Sequence, residues 1–360
     1  MAVRFDEALS KAERGEPLSL EELVVLLQAE GGQAEELFRV ADDVRRRCVG
    51  NEIHLRGLVE FSNCCGRQCT YCGLRAPNRG LVRYRMSLEE VVTAARRAGE
   101  LGMKTVVLQS GEDAYFTVER MVEMILAIKE SVDVAVTLSI GERPREEYRA
   151  FREAGADRYL LKHETADPGL YARLHPDMRF ENRLRCLRDL RAEGFQVGAG
   201  CMVGLPGQTV EMLARDILLL QELDVDMAGI GPFIPHPDTP LAHCPAGSVE
   251  MTIKMVALAR IVTKNAHIPA TTALATADSR GREMAFAAGA NVVMPNLTPL
   301  KYRKHYAIYP NKRCLAEDAD GSLASLRLCI EGMGRRVGTG YGHSLKRRAL
   351  GCGSVRNEHG

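Results

Sequence analysis

The chain has 360 residues, 46% of them apolar, enough for one large core and too many for a disordered chain. Lys and Arg number 48 against 47 Asp and Glu, so the charge balance calls for neither a nucleic acid nor an anionic membrane as partner. No apolar run reaches spanning length and residues 1–14 read as a charged helix rather than a leader, so a soluble, cytoplasmic protein is expected.

Residues 1–50 carry three helical patterns, at about 3–14, 19–29 and 34–48, the second opened by a capping box, Ser19 with Glu22. Their apolar stripes predict a helical cover packed on a larger body. From Ile53 onward, β-branched apolar stretches recur at 53–61, 104–109, 133–140, 158–163, 196–203, 227–234, 268–274 and 291–295. Amphipathic helical patterns lie between them, at 87–101, 117–130, 144–154, 180–193, 209–223, 249–264 and 280–288. Eight strands alternating with helices predict an α/β fold, a (β/α)8 TIM barrel over 51–300, with an open doubly wound sheet as the competing topology. Residues 301–360 form a C-terminal extension ending in a basic tail. Lys346-Arg-Arg is expected to be solvated and Gly351–Gly360 to fray.

In such a barrel, chemistry sits where strands end and the following loops begin. That rule selects a cysteine loop after the first strand, Gln109-Ser-Gly-Glu-Asp after the second, and Thr137 and Ser139 on the third. It also selects His163-Glu-Thr, Gly204-Leu-Pro-Gly, Pro235-His-Pro-Asp, Thr271-Thr272 on the seventh strand, and Met294-Pro-Asn. The strand bodies are expected to be apolar.

Eleven cysteines in a cytoplasmic chain point to metal ligation or burial rather than to disulfides. Seven are scattered, and of these Cys186 and Cys329 read as small core residues. Cys65, Cys69 and Cys72 stand apart at x3 and x2 spacing, with Cys64 as a bystander. Three thiolates can hold three irons of a [4Fe–4S] cluster and leave the fourth open to a ligand. Structural zinc wants four ligands in two pairs; there is no second pair, and only His54 and His163 are candidates for recruitment.

The spacing, with Tyr71 beside Cys72, resembles the radical S-adenosylmethionine (SAM) enzymes. Longer stretches resemble the HydE family of [FeFe]-hydrogenase maturases within the biotin synthase-like subgroup. These are Glu60-Phe-Ser-Asn, Arg83-Tyr-Arg-Met, Leu108-Gln-Ser-Gly-Glu-Asp, Val136-Thr-Leu-Ser, Asp157–Thr165, Gly204-Leu-Pro-Gly-Gln-Thr, Gly229–Leu241, Met294-Pro-Asn and the Tyr302…Tyr306…Tyr309-Pro run. The resemblance covers about residues 50–315. It implies one [4Fe–4S] cluster on Cys65, Cys69 and Cys72, whose open iron chelates SAM and reduces it to a 5′-deoxyadenosyl radical. Tyr71, Ser110, Gly111, Glu112, Glu164 and Arg183 would serve the SAM, Arg183 as a fork for its carboxylate. Gln109, Thr137, Ser139, Thr271, Thr272, Met294 and Tyr306 would line the substrate cavity. The implied substrate is small and iron-bound or amino-acid-like, a cysteine-ligated iron carbonyl cyanide on the way to the hydrogenase diiron site. A low-potential electron donor and other hydrogenase maturation proteins are the implied partners.

Some members of the family hold a second cluster on three C-terminal cysteines. Here Cys314 fits the first position, but Ser322 and Ser325 fall on the others, so no second cluster is expected. A methylornithine synthase-like mutase is the nearest alternative. Biotin synthase itself fits less well, because Cys201 is the only clear cysteine in a later strand. A non-catalytic iron–sulfur carrier would keep the cysteines yet tolerate loss of Glu164 and Arg183.

Overall fold

The computed structural model describes residues 3–312 and 319–346. Three helices come first, α1 (Phe5–Arg14), α2 (Leu20–Leu27) and α3 (Gly32–Val49). The alternation then runs β1 (Glu52–Leu55), β2 (Gly57–Ser62), α4 (Leu88–Glu100), β3 (Thr105–Ser110), α5 (Val118–Ser131), β4 (Ala135–Ser139), α6 (Arg145–Glu153) and β5 (Arg158–Leu160). It continues with α7 (Pro168–Leu174), α8 (Phe180–Ala192), β6 (Gln196–Ala199), β7 (Met202–Val203), α9 (Val210–Glu222), β8 (Met227–Ala228) and β9 (Gly231–Pro232). Then come α10 (Val249–Thr263), α11 (Thr272–Ala277), α12 (Gly281–Ala287), β10 (Val292–Val293), α13 (Leu300–Arg303), α14 (Ala319–Gly332) and β11 (Arg336–Val337).

Pairing closes the sheet. A parallel run β2-β3-β4-β5-β6-β8 is continued by bridges from Met227 to His267 and from Pro269 to Val292. β10 pairs in parallel with β1, and Asn296 bridges Leu58, so the eighth station returns to the first. This is a (β/α)8 barrel, not an open sheet. Local sequence explains the helix starts: the capping boxes at Ser19/Glu22 and Ser87/Glu90 both form. The N-terminal helices lie outside the barrel, α2 against α9 and α10, and α3 against α10 and α12, burying Leu23, Leu26, Leu27, Leu37 and Val40.

The register sorts side chains by height inside the barrel. Val107 pairs with Thr137, Gln109 with Ser139, and Glu60 with Gln109, so these residues share the inner face. Glu60, Gln109 and Ser139 form the upper layer, and Thr137 lies one step below.

Four expectations are corrected. The seventh stretch, 268–274, is a strand only to about Ala270, whose N–H reaches Val292 O at 2.9 Å. There Thr271 turns N-cap, its Oγ1 accepting from Leu274 N at 3.4 Å, and Thr272 is the first residue of α11 rather than a strand residue. The strand bodies are not all apolar either: Arg56 and Arg158 are buried at the lower end of the barrel. Arg158 donates to Thr105 Oγ1 at 3.1 Å, Gln196 Oε1 at 3.2 Å and Tyr341 O at 2.7 Å, and its Nη2 lies 2.9 Å from His343 Nδ1.

Tyr341 and His343 belong to the C-terminal extension. After β11 pairs with β1, residues 338–346 run across the lower mouth. Lys346 is accordingly not solvated: it pairs with the Asp224 carboxylate and donates to Val225 O at 2.7 Å. Gly351–Gly360 lie outside the described residues. Finally, Cys186 is buried as expected, but Cys329 is only half-buried, its thiol 3.7 Å from Glu283 Oε1. No described helix is long and apolar enough to cross a membrane.

Candidate active site

β2 ends at Ser62 and delivers the cysteine loop to the upper rim. One guanidinium gathers it: Arg83 donates to the carbonyls of Asn63 at 2.6 Å, Leu74 at 2.8 Å, Arg75 at 2.8 Å and Asn78 at 3.1 Å. Asn63 ties the same loop to Val82 O at 2.8 Å and His305 O at 2.7 Å. Three backbone bonds seat it on its surroundings, Gly66 N to Glu112 O at 2.9 Å, Thr70 N to Leu174 O at 2.9 Å and Gly73 N to Ile308 O at 3.0 Å. Below it, Asp113 takes a two-pronged grip from Arg85 at 2.7 and 3.0 Å and a bond from Ser62 Oγ at 2.8 Å.

Burial pushes the Cys65, Cys69 and Cys72 thiols up, Cys72 to about 12. Charge on Cys72 and Cys65 pushes Cys69 further in the same direction, so the three sulfurs share one field. Thiolates in such a place need a metal cation to hold their charge. Among the described residues, the set of three ligand-type atoms lying within 4.8 Å of one another is His163, Cys201 and Asp216, not the loop cysteines. The loop sulfurs are thus spread wider than the ligands of a single ion, which suits a cluster better than zinc. His54 is on β1 at the lower end and His163 faces Asp216, so neither completes a zinc set with the loop.

Beside the loop lies a charged network. Glu164 adopts φ 65°, the left-handed region that a side chain disfavours. Burial pushes its carboxyl up, but Lys162 at 3.3 Å, with His175 and Arg183, outweighs this and holds it below the ordinary range. The ion pair to Lys162 is made by its Oε2. Arg183, buried on α8, donates to Glu142 Oε1 at 2.7 Å and to Lys162 O, while its Nη2 finds only Met178 sulfur at 3.9 Å. Glu112 is taken by Arg67 and by Glu142 N at 3.1 Å, so it braces the loop. Gly111 is needed for closeness: a Cβ there would lie 2.3 Å from Cys64 O and 2.6 Å from Cys65 Cβ.

Tyr71 bonds His175 Nε2 at 3.0 Å, and burial pushes that imidazole down to about 4, so it is neutral. Its Nδ1 faces Tyr171 O at 3.3 Å, which places the proton there and makes Nε2 the acceptor for Tyr71. Ser110 Oγ donates to Gly111 O at 2.7 Å.

Gln109 reaches Ser139 Oγ at 3.4 Å, and Thr137 Oγ1 is buried with no partner. Tyr306 is buried next to Lys312, whose ammonium lies 5.0 Å from the ring centroid. Burial pushes its phenol up, and Glu60, Tyr84, Cys72 and Cys65 act in the same direction. Met294 is half-buried at the eighth station. Thr271 stands at the rim next to β9, its Oγ1 3.1 Å from where a Cβ on Gly231 would be.

Residues 59–220 match the Radical SAM superfamily. The chain is 52% identical over 86% of its length, and 89% of the relative's, to the "[FeFe] hydrogenase maturase subunit HydE" of Thermotoga maritima. The chain belongs to the HydE family of radical SAM enzymes. More distant is "3-methylornithine synthase" of Methanosarcina acetivorans, 29% identical over 92% of this chain and 93% of that one. A crystal structure of methylornithine synthase superposes with TM-score 0.82 at 27% identity, covering 92% of this chain and 97% of that one.

Membership of the HydE family gives the observed donors a group to hold. Three mutually interacting thiols, a cradle at Gly111 that a Cβ would fill, and the buried Glu164 carboxylate beside them fit a [4Fe–4S] cluster with SAM on its open side.

Sequence reasoning placed Asn63, Arg83, Arg85 and Asp113 in family-like stretches but gave them no role; they carry the loop rather than the chemistry. It likewise gave no role to Glu60, buried in the upper layer and paired with Lys312 and with Asn296 Nδ2 at 2.9 Å. The available signal was a charged residue inside the apolar run 57–61, which a barrel interior tolerates only with a partner.

Proposed function

We propose that this enzyme acts in assembly of the [FeFe]-hydrogenase diiron site, on a cysteine-ligated iron carbonyl cyanide held inside the barrel. The observation that carries the reading is the loop itself: three thiols on one rim, beside a buried carboxylate, Glu164, paired with Lys162, and above an inner layer of Glu60, Gln109, Ser139 and, one step lower, Thr137. The likeness to HydE along nearly the whole chain supports it.

The cluster, when bound, supplies one electron that opens SAM to a 5′-deoxyadenosyl radical. Cys65, Cys69 and Cys72 hold three irons. Glu164 faces the positive end of SAM and Arg183 offers the carboxylate its Nη2, which otherwise meets only the Met178 sulfur, with Tyr71, Ser110, Gly111 and Glu112 shaping the floor. Gln109, Thr137, Ser139, Met294 and Tyr306 orient the substrate, and Thr271 and Thr272 close the rim. The buried Glu60–Lys312 pair and the Tyr306 ring exclude water between cluster and substrate, as radical chemistry requires. Ser322 and Ser325 stand where two of the three second-cluster cysteines would be, and a single thiol at Cys314, which lies outside the described residues, cannot hold a cluster, so one cluster per chain is part of the proposal. A low-potential donor, other maturation proteins as partners and a cytoplasmic setting complete it.

Anaerobically reconstituted enzyme with SAM, dithionite and the iron carbonyl cyanide should release 5′-deoxyadenosine with consumption of the complex. Methylornithine formed from lysine would instead select the mutase reading. Full activity after loss of both Glu164 and Arg183 would select the carrier. Iron near eight rather than about four per chain would overturn the single cluster.

A further inference from the structure

His163, Cys201 and Asp216 are fully buried, and their ligand atoms lie within 4.8 Å of one another. By composition and spacing they form a metal set, and Asp216 Oδ2 has no hydrogen-bond partner. The imidazole decides otherwise. Gly200 N–H points at His163 Nδ1, 3.3 Å away, so Nδ1 is the acceptor and Nε2 carries the proton. Nε2 lies 3.2 Å from Asp216 Oδ1 and donates to it, leaving no lone pair on that side for a metal.

The pair has another use. Asp216 Oδ1 also accepts from Ala166 N at 2.5 Å, so one carboxylate on α9 holds both ends of the segment His163–Ala166. Glu164 lies inside that segment in its left-handed conformation, and backbone bonds pin it from both sides: Glu164 N to Gly200 O at 2.9 Å and Met202 N to Glu164 O at 3.0 Å. A strained residue persists only where its surroundings over-determine it. Cys201, bridged to Glu164, fills the space behind with a small apolar atom and needs no metal.

We infer that His163 and Asp216 are positioning residues that hold the Glu164 carboxylate toward the cluster loop, and so set the affinity for SAM without touching it. The inference rests on the proposal that Glu164 contacts SAM.

The test uses the reconstituted enzyme and its titration with SAM, followed by the change in the reduced cluster's EPR signal. Asp216→Ala, which removes the Oδ1 that accepts from both His163 and Ala166, should weaken SAM binding about tenfold or more, because a small displacement of an oriented group is felt steeply. Iron content and the SAM-free EPR signal should stay at wild-type values. In a Glu164→Gln background the same change should cost less than about twofold, since the group being positioned is already altered. His163→Ala should match Asp216→Ala, whereas His163→Gln, which keeps an N–H donor, should recover SAM affinity to within about threefold of wild type.

An equal loss from Asp216→Ala in both backgrounds would overturn the inference, as would a His163→Gln variant no better than His163→Ala. Stoichiometric zinc retained by the cluster-free protein and lost on Asp216→Ala would overturn it in favour of a metal set. If Asp216→Ala does not fold, the two His163 variants carry the decision. Unchanged SAM affinity in Glu164→Gln alone would instead overturn the role proposed for Glu164, a result distinguishable from all of these.

Discussion

Gly111 shows how little room the cluster loop has at the scale of a single atom. A methyl group there must displace either the Cys64 carbonyl or the Cys65 Cβ, and neither is the end of a flexible side chain. Gly111→Ala should therefore reduce iron bound after reconstitution to below about half of wild type, by chemical iron assay, through steric displacement of a ligand residue. Arg83 is a second such point. Lysine keeps the charge but cannot reach four carbonyls with a planar fork, so Arg83→Lys should destabilise the fold by about 1–3 kcal/mol in urea unfolding and shorten the cluster's lifetime in air. The three loop cysteines stood out as candidate ligands because their spacing alone carries meaning. The role of Arg83 did not, because nothing local distinguishes a surface arginine from one whose partners lie up to 20 residues away on the same loop.

The segment after β11 is the element whose role is read least easily from its own composition. It is rich in Gly, Arg and Lys, yet residues 338–346 are held across the lower mouth by Arg56, Thr105, Arg158 and His267. Its histidines and those beneath it are kept neutral. Burial, reinforced by the nearby arginines, pushes His54 and His343 down to about 4 and His267 well down. The unfolded chain binds these protons at about 6.5, so between about 4 and 6.5 it carries more protons than the fold. Stability is therefore fully present above about pH 6.5 and falls as the pH drops toward 4. Urea midpoints measured under argon from pH 7.5 to 5 should decline, and His343→Gln should flatten the decline. Arg158→Met, which strips the bonds to Tyr341 and Gln196 from a buried position, should cost about 2–4 kcal/mol by the same measurement. The seventh strand is the opposite case. An apolar, β-branched run suggested a strand through residue 274, but the Thr271 hydroxyl can cap a helix start just as well. Pairing to β10 ends at Ala270, and the cap wins.

For the whole molecule, closure of the barrel is what brings the site together. Cys65, Glu112, Glu164, Arg183 and Tyr306 come from five separate stretches and meet because consecutive parallel strands end at one rim. The N-terminal helices back the side of the barrel formed by α9 and α10, where Asp216 also sits. Leu26 is fully buried in that layer, and Leu26→Ala should cost about 2–5 kcal/mol in urea unfolding with SAM affinity unchanged. A large effect on SAM binding would mean that the outer layer reaches the site through α9.

The sequence by itself determined the alternation of strands and helices, the capping boxes and the three-cysteine loop, because each depends on residues within a few positions of one another. Only the tertiary structure decided that the sheet closes, that Lys312 neutralises Glu60 across 252 positions, and that Asp216 braces the turn carrying Glu164. Those outcomes depend on contacts between distant segments, and local periodicity carries no information about which buried charge will find which partner.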